Sequence, residues 1–376
     1  MIVGIPREVK PGENRVCMTP AGAEVMRENG HQLLVQTGAG LGSGFSDQDY
    51  YEAGAELVDS PQELFARSAM VMHVKEPQPA EYPLIRPGQV LFTYFHFAAS
   101  ESLTRAMMES RAVCIAYETI ESLDGTLPLL TPMSEVAGRM AAQEAAKYLE
   151  RAQGGRGILL GGVPGVAPAK VLILGGGVVG TQAALMASGL GARVYLLDTR
   201  LDRLRHLSEI MPKNCLPLMS SPATIRQLVK EADVVIGAVL VHGAKAPKLI
   251  SREMLKTMKA GAVLVDVAID QGGCFETSRP TTHNDPTFVV DDILHYCVAN
   301  MPGAVPLTST VALTNATLPY AVRIANSGWQ QAALKESAIK AGLNIVNGQV
   351  ICRAVAEAFS FAFRSMEDIL STESPH

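Results

Sequence analysis

Residues 171–198, VLILGGGVVGTQAALMASGLGARVYLLD, decide how the rest of the chain is read. An apolar run (VLIL) leads into a G-x-G-x-x-G pattern at Gly175, Gly177 and Gly180. A small-residue stretch of helical character follows, and a second apolar run ends on Asp198. Each part has a mechanical reason. Gly175 makes a tight turn, Gly177 lets a pyrophosphate approach the backbone, and Gly180 lets the helix pack on the strand. The phosphate charge then meets the outward N–H groups at the helix N-terminus, with Val178 and Val179 in its first turn. Asp198 at the next strand's tip suits the adenine ribose hydroxyls and repels an extra phosphate, which favours NAD over NADP. Arg200 and Arg203 nearby weigh the other way, since a guanidinium accepts a 2′-phosphate. No charged residue occurs between Lys170 and Arg193, so a hydropathy window reports a membrane span here. The glycines at 175, 176, 177, 180, 189 and 191 instead suit a strand, a turn and a short helix.

Working outward, the 376 residues carry a formal net charge of −5, with 48% hydrophobic and 18% charged residues. That length and composition predict two globular domains rather than one, and not a disordered chain. The acidic balance and single Trp offer no basic stripe or stacking platform, which argues against nucleic acid as a partner. MIVGIPREVK at the start lacks the pattern of an export signal, so a cytoplasmic protein without membrane attachment is expected. Six widely spaced cysteines with no C-x-x-C pair argue against a disulfide framework or a zinc knuckle.

Apolar strand-like runs alternate with amphipathic helical patterns, the signature of α/β architecture with parallel sheets. Runs at 2–5, 32–36, 70–74, 90–95 and 113–117 form a first set, with helical stretches near 19–29, 47–54 and 101–111. Ser134 is read as the N-cap of a helix reaching about Arg151. A second set of runs covers 171–174, 193–197, 233–236, 262–267 and 295–299. Residues 306–376 read as mostly helical, too poor in strands for a core of their own, and are expected to return to the first domain. The expected fold is two Rossmann-like domains. A discontinuous substrate domain, 1–133 with 306–376, receives a nucleotide domain, 134–305, inserted between two connecting helices.

Substrate chemistry in such folds gathers at the carboxyl ends of strands. Lys75 follows VMHV, His96 closes VLFTYF, and Arg15 lies in the loop after the first strand. Asp270 follows AVLVDVAI and Asn300 follows HYCVA. Singly, each has a bland explanation: a solvated charge, a hydrogen-bonded structural histidine, a turn-forming aspartate. Together they make a chemistry. Arg15 can hold a carboxylate by its planar fork, Lys75 can polarise a carbonyl or imine, and His96 and Asp270 can pass protons. Hydride leaving a Cα–H that bears a heteroatom needs this set, and a 2-hydroxy acid and a 2-amino acid both satisfy it. No metal is required. There is no H-x-x-x-H or H-E-x-x-H pattern, and His31, His73, His206, His242, His283 and His376 stand in separate contexts read as structural.

GIPREVKPGENRVCMTP (4–20), HVKEP (73–77), GGVPGVAPAKVLILGGGVVG (161–180), GAKAPKLI (243–250), VDVAIDQGG (265–273), VANMPGAVP (298–306) and TSTVALTNATLPYA (308–321) together resemble the bacterial NAD-dependent alanine dehydrogenases over essentially the whole chain. The resemblance implies reversible oxidative deamination of L-alanine to pyruvate and ammonium, two α/β domains closing on a cleft, and a homohexamer. It implies that Arg15 and Lys75 bind substrate carboxylate and carbonyl, and that His96 and Asp270 act as acid and base. It further implies NAD contacts at Ser134, Val178, Asp198, Arg203 and Ser220. The segments Val239–Leu240, Asp266 to Asp270 with Val267, Ala268 and Ile269, and Val298, Ala299, Asn300 and Met301 complete the expected cofactor set.

Two departures stand out. The family's H-L-A-P reads His96-Phe97-Ala98-Ala99 here, without the proline. Arg323 and Ser327 replace an acid and a histidine proposed in some members to bind magnesium, so that metal site does not carry over. The NAD-binding subunit of proton-translocating transhydrogenase is similar in fold and opening motif, but it lacks the histidine and aspartate found here as His96 and Asp270. A catalytically silent NAD sensor is the third reading, and the intact set of four chemical residues weighs against it.

Overall fold

Strands and helices alternate along the computed structural model, which describes residues 1–239 and 246–372, with side chains to residue 369. The first strands are β1 (Ile2–Ile5), β2 (Gln32–Gln36), β3 (Glu56–Val58), β4 (Met70–Met72), β5 (Val90–Thr93) and β6 (Val113–Ala116). The next are β7 (Lys170–Leu174), β8 (Arg193–Asp198), β9 (Cys215–Met219), β10 (Val234–Gly237), β11 (Val263–Asp266), β12 (Thr287–Val290) and β13 (Ile293–Tyr296). Last come β14 (Leu343–Val346) and β15 (Gln349–Val350). They form two sheets, ordered β15-β14-β6-β5-β4-β1-β2-β3 and β12-β13-β11-β10-β7-β8-β9.

Within each sheet six strands run parallel, and the antiparallel ones, β14 with β15 and β12, sit at an edge. Both parallel sets have the doubly wound order, reversing direction between β1 and β4 and between β7 and β10. Loops at the carboxyl ends diverge at such a reversal and leave a crevice. The central strands are apolar without alternation because helices cover both faces. Phe65, Val71, Leu91, Phe95 and Ile345 share one core, and Leu172, Leu197, Val235, Leu264 and Phe275 share the other. Each such side chain contributes roughly 2 kcal/mol on burial.

The chain divides into two units, Met1–Met133 with Val305–His376, and Ser134–Ala304. One expectation needs correction. Ser134 is not an N-cap: the helix spans Thr131–Tyr148, because Pro132, with its preset φ, opens the first turn. The segment after 306 is mostly helical, as expected, and adds two short strands. After the 30-residue helix Pro306–Lys335, kinked at Gly328 (φ 76°), β14 and β15 extend the first sheet through a turn at Asn347 and Gly348 with φ of 50° and 83°. Several strands also stop early. β4, β5 and β13 end at Met72, Thr93 and Tyr296, which leaves Lys75, His96 and Asn300 in the loops beyond. Among the described residues no helix is long and apolar enough to cross a membrane.

Candidate active site

In the inserted unit the glycine turn lies beside the reversal point, after β7. Gly175 has φ +103°, and a Cβ there would stand 2.6 Å from the Ala238 carbonyl just past β10. Gly180 is tighter: a Cβ would meet the Gly175 carbonyl at 1.8 Å, so only glycine lets helix Val178–Gly189 close on the strand. Gly177 faces open space, with nothing within 4 Å of a Cβ, and as N-cap it supplies no side-chain hydrogen bond. Thr19, Ser46, Ser60, Ser100, Ser221 and Ser251, by contrast, cap their helices with hydroxyls. An open, uncapped, glycine-lined N-terminus fits a pyrophosphate, whose oxygens would accept the N–H groups left over.

Asp198, at the end of β8, is held in place by its neighbours. Its carboxylate accepts the Gly176 N–H at 2.9 Å and the Arg200 N–H at 2.9 Å. Arg203 braces the turn, donating from Nε to the Gly176 carbonyl at 2.7 Å and from Nη2 to Thr181 Oγ1 at 2.8 Å. Ser220, just past β9, donates its N–H to the Asp198 carbonyl at 2.9 Å. Val239 follows β10 at the same edge, with a methyl 3.1 Å from where a Cβ of Gly175 would stand. Leu240 lies outside the described residues.

The turn Val267–Gln271 follows β11, with Val267, Ala268 and Ile269 inside it and Asp270 exposed at its end. Asp266, fully buried, accepts from the N–H groups of Ala268 and Cys274 and from Ser278 Oγ. Burial raises its carboxyl pKa despite these bonds, which hold the turn. Val298, Ala299, Asn300 and Met301 follow β13, Asn300 in a left-handed conformation with φ 59°. Its carbonyl meets His283 Nε2 at 3.1 Å. Ser134 is half-buried on helix Thr131–Tyr148. Four residues on, a Cβ at Gly138 would stand 2.3 Å from the Val179 carbonyl. That glycine, which no motif singled out, lets this helix approach the first turn of the nucleotide helix.

The other unit collects Arg15, Lys75 and His96 in the loops after β1, β4 and β5, and each leans on a glutamate. Arg15 is buried and gripped on one edge of its fork, Nε and Nη2 reaching Glu13 at 2.7 and 2.6 Å; Nη1 is 3.2 Å from Met133 Sδ. Removing Glu13 would break this buried ion pair, a loss of about 3–5 kcal/mol. The N–H groups of Val16 and Thr19 are taken by Thr310 and Thr314 Oγ1 of the long helix, which steadies the Arg15 loop. The half-buried Lys75 gives its N–H to Glu8 Oε2 at 3.3 Å, and its carbonyl accepts from Thr93 Oγ1 at 2.9 Å.

His96 is exposed in a left-handed conformation, φ 51° and ψ 42°, which costs a non-glycine residue about 1–2 kcal/mol. Glu118, past β6, offsets that cost by accepting the N–H of His96 at 2.6 Å and of Phe95 at 3.2 Å. The His96 imidazole lies parallel to the Tyr94 ring, with centroids 5.9 Å apart. Tyr94 donates to the Leu129 carbonyl; burial pushes its hydroxyl pKa up, countered in part by the Arg15 charge. Arg15, Tyr94, His96 and Glu118 thus form one neighbourhood. Asp270 belongs to the inserted unit. Sequence reading missed Glu8, Glu13 and Glu118 because an acid in a loop ordinarily reads as solvated.

Comparison with known proteins then places the chain. Residues 4–137 match the family model for the alanine dehydrogenase/PNT N-terminal domain, and residues 141–353 match that for its C-terminal domain. The chain belongs to the alanine dehydrogenase/PNT family. Within it, an alanine dehydrogenase of Halomonas elongata is 55% identical over 363 residues, 96% of this chain and 98% of its own. A solved L-alanine dehydrogenase, 50% identical, superposes with a TM-score of 0.93 over 96% of this chain and 99% of the other. A solved transhydrogenase from Sinorhizobium meliloti shares the fold at 23% identity, with a TM-score of 0.82 over 93% of this chain and 100% of its own.

The two departures from the alanine dehydrogenase/PNT pattern have structural accounts. The turn after His96 holds without a proline: Ala99 and Ser100 donate to the carbonyls of His96 and Phe97, and buried Phe97 stacks on Phe95 at 4.4 Å. Arg323 pairs with Glu336 at 2.8 Å, and Ser327 Oγ donates to the Arg323 carbonyl at 2.9 Å. A cation and an occupied hydroxyl do not fit a magnesium ion, which takes oxygen ligands of opposite charge.

Proposed function

We propose that the chain catalyses the reversible oxidative deamination of L-alanine to pyruvate and ammonium with NAD. The observation that carries this reading is the array at the carboxyl ends of β1, β4 and β5: the Arg15 guanidinium gripped by Glu13, and Lys75 and His96, whose backbone N–H groups are held by Glu8 and Glu118. It stands in a chain alike over its whole length to alanine dehydrogenases. Bound NAD supplies the hydride acceptor for the substrate Cα–H. Glu13 orients Arg15 to hold the substrate carboxylate. Lys75 faces the oxygen or nitrogen on Cα and stabilises charge developing there. The His96 imidazole and the Asp270 carboxylate take up and return protons as water adds to the imine and ammonia departs.

The nicotinamide cofactor is NAD rather than NADP because the Asp198 carboxylate occupies the ribose end. Arg203, which would otherwise welcome a 2′-phosphate, is engaged by the glycine turn. The remaining cofactor contacts are those at the carboxyl ends of β7 to β11 and β13 named above. A homohexamer is part of the same proposal, supported by the whole-length likeness to the family. So is a cytoplasmic setting, supported by six cysteines with no disulfide among them.

The test is a pair of variants. Lys75→Ala and His96→Ala are expected to bind NADH as the wild-type protein does while losing roughly a hundredfold or more in turnover. A variant with near-normal turnover would remove that residue from the mechanism.

A further inference from the structure

Beneath the Lys75 loop lies a buried row of acid, imidazole and acid. Glu8, on the loop after β1, accepts the Val74 N–H at 2.6 Å and the Lys75 N–H at 3.3 Å, and lies 3.1 Å from His73 Nδ1. On the far side of the ring, His73 Nε2 stands 3.4 Å from Glu81 Oε1, an ion-pair distance without hydrogen-bond geometry. The side chains of Glu8, His73 and Glu81 are 4%, 2% and 7% exposed. Glu81 is itself fixed by the Gln78 N–H at 2.8 Å.

Two carboxylates this close in a dry site repel unless a cation separates them. Burial pushes the His73 pKa down, but the charge and hydrogen bond of Glu8, then Glu81 and Glu76, overcome it and hold it above its ordinary value. The row also crosses the reversal point of the sheet, since Glu8 follows β1 and His73 follows β4. Glu8 therefore couples the position of one loop to the main chain of the other. With Thr93 on the Lys75 carbonyl, both polar groups of the Lys75 peptide backbone are held.

We propose that Glu8, oriented by His73, is the positioning residue that sets where the Lys75 ammonium stands. The inference rests on the reading of Lys75 given above, and it assigns Glu8 and His73 no contact with substrate. A positioning error of an ångström costs about a hundredfold in rate, so the effect is read in turnover and in the Michaelis constant for the keto acid.

The test uses the full chain in reductive amination of pyruvate, with NADH binding followed by fluorescence to count folded sites. Glu8→Gln and His73→Gln are each expected to lower kcat/KM for pyruvate by about tenfold to a hundredfold with NADH affinity unchanged. His73→Lys, which returns a cation between the two carboxylates, is expected to recover to within about threefold of the wild-type value. Placed on Lys75→Ala, Glu8→Gln is expected to add no further loss, because it acts through a side chain already gone.

Equal losses on both backgrounds, or equal turnover per NADH site for His73→Lys and His73→Gln, would overturn the proposal. The second comparison decides the matter if Glu8→Gln does not fold. Normal turnover by Lys75→Ala would instead bring down the reading of Lys75, and the positioning role with it. A collapse of Lys75→Ala beside normal Glu8→Gln and His73→Gln would leave that reading standing and remove the positioning role alone.

Discussion

Cofactor choice turns on a single carboxylate. Asp198 accepts two backbone N–H groups and so is aimed before any ligand arrives. Replacing it with glycine or alanine is expected to raise the ratio of kcat/KM for NADP to that for NAD by about tenfold or more, worth about 1.4 kcal/mol in the transition state. An unchanged ratio, measured with pyruvate and ammonium saturating, would remove Asp198 from cofactor selection. At this scale the candidate residues stand out in the sequence and their supports do not. Arg15, Lys75 and His96 stand out because they follow apolar strands. Glu8 gains its meaning only when the loop after β1 meets the loop after β4, more than sixty residues on, and no local pattern carries that meeting.

The nucleotide helix is the element on which the fold reading rests, and two of its glycines separate close approach from mere tolerance. Gly180→Ala would drive a methyl into the Gly175 carbonyl; it is expected to abolish NADH binding or to prevent folding of the turn. Gly189→Ala, at the last residue of the same helix with nothing within 4 Å of the new Cβ, is expected to leave NADH binding intact. It should also change stability by less than about 1 kcal/mol, in the stabilising direction. Urea unfolding with NADH titration checks both, and equal behaviour of the two variants would contradict the packing account.

Elements with strong periodicity or glycine signatures were readable in advance; short edge strands were not. β3 and β9 are edge strands, and β9 carries a proline and exposed residues, which removes the continuous apolar run that marked its neighbours. The hairpin of β14 and β15 did carry a signal, since Asn347-Gly348 between apolar runs supplies the two positive φ values of a tight turn. The helical character of its surroundings masked it. Ser134 was misplaced as a cap because the sequence ahead of it, Thr131-Pro132, is an equally good helix start.

At the scale of the whole molecule, the buried row at His73 links stability to pH. Its folded pKa lies above the ordinary 6.5, so the stabilisation it brings is complete below that value and is lost as pH rises through the folded one. The groups facing it are Glu8, Glu81 and Glu76. The stability gap between the wild-type protein and His73→Gln is therefore expected to be widest below the ordinary 6.5 and to narrow as pH rises above it, as followed by denaturant unfolding. A gap independent of pH would mean that His73 is not charged in the fold. Light scattering is expected to show one species of about six times the 40.0-kDa chain, and a monomer would contradict the proposed assembly. The central claim is most directly tested by following NADH absorbance with the purified protein. L-alanine and NAD are offered at alkaline pH, then pyruvate, ammonium and NADH near neutrality, with L-lactate and NADP as controls. The account predicts turnover in both alanine directions and silence with lactate; protein that binds NADH yet turns over neither alanine nor pyruvate would contradict it.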